Sequence, residues 1–184
     1  MPNHKIAALV GMCGSGKSVV CDMFVKKGWN RIYFGQVTMD QLAERGLDKN
    51  EQNERMIREE LRAVHGPAAY AKLLLPSIDA AAEKGHTILD GLYSWSEYKC
   101  LKEHFGDDIT VIAVIADRQV RYSRLTTREI RPLTNAEAES RDWAEIEKLE
   151  KGGPISIADR FVFNNGSVEL LNEQIENLID ELSK

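Results

Sequence analysis

Short apolar runs alternate along the chain with longer stretches of helical periodicity. Lys5–Val10 is a continuous apolar run that ends at Gly11, a pattern typical of a strand that is buried on both faces. Three further runs have the same pattern and a fourth is weaker; they are Arg31–Phe34, Thr87–Leu89, Ile109–Ala116 and Arg160–Phe163. Because parallel neighbours need crossover connections, this alternation of strand and helix predicts a layered α/β fold with a parallel sheet.

Several local signals predict where helices begin and end. A side-chain acceptor followed three positions later by Glu or Gln is typical of a helix start. Gly66-Pro67 predicts the end of one helix and the beginning of another. The predicted starts are Thr38 with Gln41, Asp48 with Glu51, Ser94 with Glu97, and Thr134 with Glu137. A last helix is predicted to pack one face on the sheet through Leu171, Ile175, Leu178, Ile179 and Leu182.

Length and composition narrow the class of protein. A chain of 184 residues predicts a single domain, and 43% hydrophobic with 29% charged residues exclude a disordered or low-complexity chain. The net charge of −5 argues against an evenly basic nucleic-acid binder but leaves room for a local basic site. The least regular stretch, Glu129–Pro154, is charged and contains glycine and proline, and we interpret it as a mobile flap around one helix.

The expected compartment is the cytoplasm. The longest apolar runs are far shorter than the ~20 residues that span a bilayer, and the N-terminus lacks the order of regions found in a signal peptide. Cys13, Cys21 and Cys100 form no CxxC pair and are expected to be reduced thiols. We therefore expect no membrane partner.

The strongest chemical signal lies directly after the first predicted strand. Residues 11–18, GMCGSGKS, fit the phosphate-loop pattern G-x-x-x-x-G-K-[ST]. Glycines let backbone N–H groups turn toward a polyphosphate, and the next helix directs its positive end at the same charge. In this pattern Lys17 reaches the β- and γ-phosphates and the Ser18 hydroxyl binds Mg²⁺. Cys13 inside the loop is either a tolerated small residue or a thiol whose pKa is lowered by the helix N-terminus.

A row of arginines is the second signal. Steps of three or four residues place them along one face of a helix, where they would repel one another unless an anion lies between them. Guanidinium groups bridge the charges of a triphosphate by paired hydrogen bonds. The alternative is a solvated face answered by nearby acids such as Glu129. The row consists of Arg118, Arg121, Arg124, Arg128 and Arg131.

Asp90 is predicted at the carboxyl end of a buried strand, the edge at which open α/β sheets bind ligands. A carboxylate there would position hydrated Mg²⁺ or accept a proton from the attacking group. The alternative is an ordinary Asp-Gly turn.

A second phosphate site is suggested by Arg58 and Arg62, which are one helical turn apart. Surface ion pairs with the neighbouring Glu54, Glu59 and Glu60 are the alternative. The four histidines form no metal-like cluster, and the serine-hydrolase elbow G-x-S-x-G is absent from the sequence.

These motifs, in this order, resemble those of the P-loop nucleoside monophosphate kinases over nearly the whole chain. The similarity is to dephospho-coenzyme A kinases and an adenylate-kinase-related branch. RLTTR (124–128) resembles the RLxxR that opens the lid, and ADRFVFNNGS (158–167) is similar to a stretch beside the adenine of ATP in dephospho-coenzyme A kinases. ILDG (88–91) and LRAVHG (61–66) are similar to segments of adenylate kinases and of the related branch.

The resemblance implies a three-layer P-loop fold, with a five-stranded parallel sheet, an acceptor-binding insert at residues 35–66 and a lid at residues 129–154. It implies ATP and Mg²⁺ as cofactors, with Ser18 and Asp90 at the metal and Lys17, Asp90, Arg124 and Arg128 as catalytic residues. The implied ATP-binding set is Gly11, Cys13, Gly14, Ser15, Gly16, Lys17, Ser18, Val19, Arg124, Asn164 and Gly166. The implied acceptor-binding set is Gly35, Arg58, Arg62, Asp90 and Tyr93.

The sequence departs from the adenylate kinase pattern after Asp90-Gly91. Adenylate kinases carry an arginine there that binds the acceptor's phosphate, whereas this chain has Tyr93 and Trp95 in that neighbourhood. A tyrosine donates a hydrogen bond but carries no charge. The choice between a plain nucleoside monophosphate and an acceptor with a larger, stackable body therefore stays open.

The leading hypothesis is an ATP- and Mg²⁺-dependent kinase acting on a nucleotide-like small molecule, with dephospho-coenzyme A as the first alternative acceptor. An ATP-binding regulatory module without a small-molecule acceptor is the second class of function. A nucleic-acid-linked NTPase, based on the arginine row, is the third and fits poorly with the acidic chain. The sequence does not indicate the oligomeric state.

Overall fold

The computed structural model describes residues 4–129 and 132–183, and within these ranges five strands form one sheet. The strands are β1 (Ile6–Val10), β2 (Asn30–Tyr33), β3 (Thr87–Asp90), β4 (Ile109–Ile115) and β5 (Arg160–Phe163). The helices are α1 (Lys17–Lys26), α2 (Gln36–Glu44), α3 (Glu51–His65), α4 (Ala69–Ala82), α5 (Trp95–Phe105), α6 (Arg118–Thr127), α7 (Asn135–Glu147), α8 (Gly152–Ser156) and α9 (Val168–Leu182), with a short 3₁₀ turn at Gly106–Asp108.

The sheet has the order β2-β3-β1-β4-β5, and every neighbouring pair is parallel. The phosphate-loop strand β1 is therefore central, between β3 and β4. In register, Leu9 of β1 lies beside Asp90 of β3, which in turn lies beside Tyr33 of β2. The predicted α/β fold with a parallel five-stranded sheet is confirmed for the part of the chain that the structure describes.

Alternate residues of β1 pack into two apolar cores on opposite faces of the sheet. Ala7 and Leu9 face the core that contains α1 and α9, and the α9 residues predicted from helical spacing are buried there. Ile6, Ala8 and Val10 face the core formed with α2 to α5. Helices on both faces bury β1 completely, as its continuous apolar run predicts.

The two edge strands differ from the predicted burial. Residues 31–34 were expected to form a strand buried on both faces, but Arg31 and Tyr33 of β2 are exposed and alternate with half-buried neighbours. On β5, Val162 is the buried residue among four. The prediction for β2 was wrong because an edge strand is covered on fewer sides than the central strand to which its pattern was compared.

Two of the four predicted helix starts are confirmed. Ser94 caps α5 by accepting the backbone N–H of Glu97, and Thr134 forms a reciprocal capping box with Glu137 at the start of α7. The other two were wrong. α3 begins after Asn50 rather than Asp48, with the Asn50 side chain accepting a backbone N–H. Thr38 lies inside α2, which begins after Gly35, and its hydroxyl is bonded to the hydroxyl of Tyr70 at 2.6 Å in the core instead of capping a helix.

The two predicted substructures both contain helices. Residues 35–66 contain α2 and α3, and Gly66 ends α3 as predicted. The stretch predicted as a flap around one helix contains α7 and also the first residues of α8, so that part of the interpretation was wrong. Arg131 of the arginine row lies outside the described residues. Across residues 4–129 and 132–183, each helix is too short or too polar to cross a membrane.

Candidate active site

The phosphate loop, residues 11–18, connects the central strand β1 to α1. Gly14 and Gly16 have φ angles of 80° and 97°, in the region that favours glycine. A Cβ at Gly16 would lie 2.2 Å from Nδ2 of Asn164, and one at Gly14 would lie 2.9 Å from the carbonyl oxygen of Arg121. The glycines therefore allow the loop to lie against α6 and the segment that follows β5.

Lys17 begins α1 and folds back over its own loop. Its Nζ donates to the carbonyl oxygens of Gly11 at 2.7 Å and Met12 at 3.1 Å. Burial, and next the positive charge of Lys151, lower the pKa of Lys17 to about 8. The next two residues, Ser18 and Val19, are exposed on the first turn of α1, which leaves the Ser18 hydroxyl accessible to a metal ion.

Asn164 joins the loop to α6. Its Nδ2 donates to the carbonyl oxygen of Ser15 at 2.9 Å, while its own carbonyl and Oδ1 accept from Nη2 of Arg124 at 2.9 and 3.3 Å. The segment 158–167 therefore lies beside the phosphate loop. Gly166 lies in the turn that follows, next to Leu170. The adenine contacts of Asn164 and Gly166 stay a prediction.

Two polar atoms beside the loop are buried without a hydrogen-bond partner among the described residues: Nη1 of Arg124 and Oγ of Ser15. The Arg124 nitrogen lies 4.0 Å from the position that a Cβ on Gly16 would take. A buried donor normally has a hydrogen-bond partner, because leaving the donor without one costs about 1–3 kcal/mol. The buried Arg124 donor beside Gly16 fits an anionic ligand, as the predicted polyphosphate would be.

The arginine row divides into two groups. Arg121 is buried, and its two Nη atoms lie 2.8 and 2.7 Å from the carboxylate oxygens of Asp142. Arg118 is exposed, 3.8 Å from Glu139. Arg118 fits the alternative of a solvated face with an acidic neighbour, although that acid is Glu139 of α7 rather than Glu129. Arg121 is paired with an acid but is buried, so it does not belong to a solvated face. Arg124 keeps its predicted position at the loop.

Arg128 is the residue at which α6 ends, and its backbone N–H donates to the carbonyl oxygen of Arg124. It is half-buried, next to the last turn of the helix. Its contact with phosphate stays a prediction.

Asp90 ends β3 at the carboxyl edge of the sheet and is buried. Its carboxylate accepts a hydrogen bond from Nη2 of Arg31, and the other Nη of Arg31 lies 3.2 Å from Asp22. Arg31 was not predicted as a site residue, because it lies within a run that was interpreted as apolar. The pair keeps Asp90 in a defined position one strand away from the phosphate loop.

The predicted acceptor arginines have different surroundings. Arg58 forms ion pairs with the exposed Glu51 at 2.6 Å and the buried Glu54 at 3.5 Å, and its contact with an acceptor stays a prediction. The guanidinium of Arg62 lies 5.3 Å from the ring centre of Tyr70. In the described part of the chain, the buried Nε of Arg62 has no hydrogen-bond partner.

Tyr93 lies in an aromatic cluster with Phe34 and Tyr70, at ring distances of 6.2 and 6.3 Å. Burial raises the pKa of Tyr93 well above its usual range, so the hydroxyl stays neutral and can donate. Gly35, also predicted on the acceptor side, precedes α2, and a Cβ there would lie 2.3 Å from the ring of Tyr33. Contact of Tyr93 and Gly35 with an acceptor stays a prediction.

Glu97 was predicted as a helix-start residue alone, yet it is a buried carboxyl next to this cluster. Its Oε2 accepts the backbone N–H of Tyr93 at 2.8 Å, and its Oε1 has no partner within residues 4–129 and 132–183. Burial raises the pKa of Glu97 to about 7, against the opposing effect of the Arg62 charge. The capping signal placed this residue correctly but gave no sign of its burial.

Glu145 and Lys151 are further residues that sequence reasoning missed. Oε2 of Glu145 accepts the backbone N–H of Cys13 at 3.1 Å, and its Oε1 lies 3.0 Å from Nζ of Lys151. The capping box at Thr134 predicts α7, and the spacing of Asp142 and Glu145 on that helix would have placed both acids on one face. No local signal marks Lys151.

Comparison with known proteins agrees with this geometry. A family model described as an AAA domain matches residues 8–144. A UPF0200 protein of Thermococcus kodakarensis is 31% identical over 181 residues, covering 96% of this chain and 97% of the relative. The chain belongs to the AAA domain family and to the UPF0200 proteins. A second UPF0200 protein, from Aeropyrum pernix, is 36% identical over 174 residues, covering 91% of this chain and 88% of the relative.

Solved structures share the fold at low identity. A dephospho-CoA kinase from Campylobacter jejuni is 15% identical with a TM-score of 0.54 and covers 98% of each chain. A shikimate kinase from Bacteroides thetaiotaomicron is 14% identical with a TM-score of 0.62, covering 98% of this chain and 99% of the kinase. The TT1252 protein of Thermus thermophilus is 19% identical with a TM-score of 0.68, covering 97% and 98%. The predicted P-loop kinase-like fold is confirmed.

Proposed function

We propose that the protein is an ATP- and Mg²⁺-dependent phosphotransferase that acts on a nucleotide-like small molecule. The observation that carries this proposal is the buried Nη1 of Arg124, which lies beside Gly16 of the phosphate loop and has no partner among the residues described. A guanidinium held in place by Asn164 and directed at a glycine-rich loop fits the triphosphate of ATP.

The phosphate loop would bind ATP through its backbone N–H groups and the positive end of α1. Lys17 would exchange its bonds to the Gly11 and Met12 carbonyls for phosphate oxygens, and Arg124 would hold the same group from α6. Arg128 would add charge from the end of α6. The proposed ATP-binding set is Gly11, Cys13, Gly14, Ser15, Gly16, Lys17, Ser18, Val19, Arg124, Asn164 and Gly166.

The Ser18 hydroxyl and the Asp90 carboxylate are the oxygen ligands proposed for Mg²⁺, either directly or through water. Hard oxygen donors of this kind suit the ion. When bound, Mg²⁺ would neutralise charge on the phosphate oxygens during transfer.

The transfer itself needs positioning and charge stabilisation more than covalent help from the protein. An acceptor oxygen forms the new bond to the γ-phosphorus, and the bond from that phosphorus to the β–γ bridging oxygen breaks. The electron pair of the broken bond leaves on ADP. An ionised phosphate acceptor loses no proton, whereas a hydroxyl acceptor would give its proton to Asp90.

A hydroxyl acceptor such as that of dephospho-coenzyme A is the second candidate. Arg31 orients the Asp90 carboxylate at the strand end, where its oxygens could accept the proton of an acceptor hydroxyl. The similarity of segment 158–167 to dephospho-coenzyme A kinases supports the same candidate. Asp90→Asn would slow transfer to either acceptor through the lost Mg²⁺ ligand, but it would slow a hydroxyl acceptor further, because that acceptor also loses its base.

The experiment is an acceptor screen with ATP and Mg²⁺, read as ADP formation, using each nucleoside monophosphate, several nucleosides and dephospho-coenzyme A. We expect one acceptor to stimulate ADP formation, and Lys17→Ala to lower turnover at least about a hundredfold. Lys26→Ala, an exposed lysine at the other end of α1, is the matched control and should keep normal turnover.

The same screen addresses the second class of function, and a separate binding measurement addresses the third. A slow ATP loss that no acceptor changes would favour the regulatory module. Salt-sensitive binding of RNA or DNA would favour the nucleic-acid-linked NTPase.

A further inference from the structure

A carboxylate of α7 accepts a hydrogen bond from a backbone N–H of the phosphate loop. The backbone N–H of Cys13 donates to Oε2 of Glu145 at 3.1 Å, and the carbonyl of the same residue accepts from Arg121 at 3.0 Å. Glycine-rich loops of this type use their N–H groups to bind phosphate. Glu145 therefore places a negative charge where the proposed function places the end of a polyphosphate.

A lysine other than Lys17 contacts the same carboxylate. Lys151 is 2% exposed, its Nζ is 3.0 Å from Oε1 of Glu145, and it lies 5.6 Å from the ring centre of Tyr93. Its charge also lowers the pKa of Lys17, after the effect of burial. Lys151 and Glu145 thus form a contact pair whose two charges both act on Lys17.

Two lysine charges in a buried site need a counter-anion, because an unpaired buried charge is costly. The Glu145 carboxylate, 3.0 Å from Nζ of Lys151, serves that purpose for Lys151. A polyphosphate would bring several negative charges to the same place, and like charges that close repel by several kcal/mol. The Cys13 N–H can therefore bind either the polyphosphate or the Glu145 carboxylate, but not both at once.

We propose that Lys151 is a further catalytic residue, which contacts the transferring phosphoryl group, and that Glu145 holds this lysine in place until the phosphoryl group displaces the carboxylate. The proposal rests on the proposed function. Arg141, one turn earlier on α7 and half-exposed, lies 3.7 Å from Oε1 of Glu145 and is the partner to which the displaced carboxylate would turn.

Three variants test the exchange: Glu145→Gln, Lys151→Met and the double variant. Glu145→Gln keeps an acceptor for the Cys13 N–H and removes the charge, so we expect its affinity for MgATP, measured by calorimetry, to rise by about tenfold. Lys151→Met should lower kcat by about a hundredfold, the effect of removing one group that stabilises transferring charge. Glu147→Gln and Lys148→Met, both exposed on the same helix end, are the matched controls and should change neither value.

The double variant distinguishes a catalytic role of Lys151 from a structural one. It also leaves no unpaired buried charge that would hinder folding. If Lys151 only neutralises Glu145, removing both charges restores wild-type turnover. If Lys151 acts on the phosphoryl group, the double variant stays as slow as Lys151→Met, and this is the result we expect.

MgATP binding and turnover distinguish a wrong role for Lys151 and Glu145 from a wrong proposed function. A wild-type protein that binds no MgATP overturns both. A protein that binds MgATP through Lys17 but shows no tighter binding in Glu145→Gln, or normal turnover in the double variant, overturns the inference and leaves the proposed function standing.

Discussion

Arg121 of α6 and Asp142 of α7 form a buried bidentate ion pair, with Nη1–Oδ1 and Nη2–Oδ2 distances of 2.8 and 2.7 Å. Nη1 of Arg121 also donates to the carbonyl oxygen of Cys13 at 3.0 Å. α7 is therefore tied to the phosphate loop through Arg121 as well as through the bond from Cys13 to Glu145. The helix predicted within the lid thus lies directly against the loop.

The buried pair should contribute strongly to stability. Removing one partner of a buried ion pair leaves the other charge uncompensated, so we predict that Asp142→Ala lowers the free energy of unfolding by about 3–5 kcal/mol. Glu139→Ala breaks the exposed, 3.8 Å pair with Arg118 and should cost less than about 1 kcal/mol. Urea denaturation measures both, and equal effects of the two substitutions would contradict the role assigned to the buried pair.

ATP affinity should depend on pH through Lys17. The pKa of this lysine in the free protein is about 8, and a bound polyphosphate would raise it, so binding above that pH requires uptake of a proton. Affinity should be level below about pH 8 and fall by up to about tenfold per pH unit above it. Calorimetry in two buffers of different ionisation enthalpy at pH 8.5 would detect the proton. Binding that shows no proton uptake at that pH would rule out the shifted lysine as the phosphate ligand.

Glu97 should make stability fall as pH rises. Its pKa is about 7 in the folded protein and 4.5 without the fold, so the folded state holds a proton that the unfolded state releases between these values. The stability this proton supplies is complete below about pH 4.5 and is lost by about pH 7. Glu97→Gln should match wild type near pH 5 and exceed it by about 1–3 kcal/mol at pH 8. Thermal unfolding at both pH values checks this, and a constant difference would be inconsistent with the buried acid.

Arg31 should support Asp90 during transfer. Without the guanidinium, the Asp90 carboxylate loses the partner that orients it at the strand end. We predict that Arg31→Met lowers kcat by about tenfold with little change in the KM for ATP. Asp22→Asn removes the exposed contact on the other side of Arg31 and serves as the control, with near-normal turnover. Steady-state kinetics of both variants would show whether the effect is confined to Arg31.

Much of the fold could be predicted because its signals are local. The continuous apolar run of β1 and the loop pattern that follows it lie within 14 neighbouring residues, 5–18, and both predictions are confirmed in structure. The caps at Ser94 and Thr134 are confirmed for the same reason. Thr38 carries a similar signal, but its hydroxyl is bonded to Tyr70, 32 residues away, and no local pattern contains that contact.

The parts of the candidate site that were missed depend on distant contacts. Arg121 meets an acid 21 residues later, and Cys13 meets Glu145 across 132 residues. Lys151 precedes two glycines and a proline and belongs to no periodic pattern. Arg31 was overlooked because β2 was interpreted as a fully buried strand, whereas its edge position exposes alternate residues. The cytoplasmic location stays a prediction.

The proposed phosphotransferase passes the γ-phosphoryl group from ATP to a small-molecule acceptor. The most direct measurement follows a label on the γ-phosphorus and records whether it ends on the acceptor or on inorganic phosphate, for each nucleoside monophosphate and for dephospho-coenzyme A. We predict that the label is found on one of these acceptors in wild type and is lost from it in Lys17→Ala. Label that reaches only inorganic phosphate, with every acceptor offered, would contradict the proposed transfer.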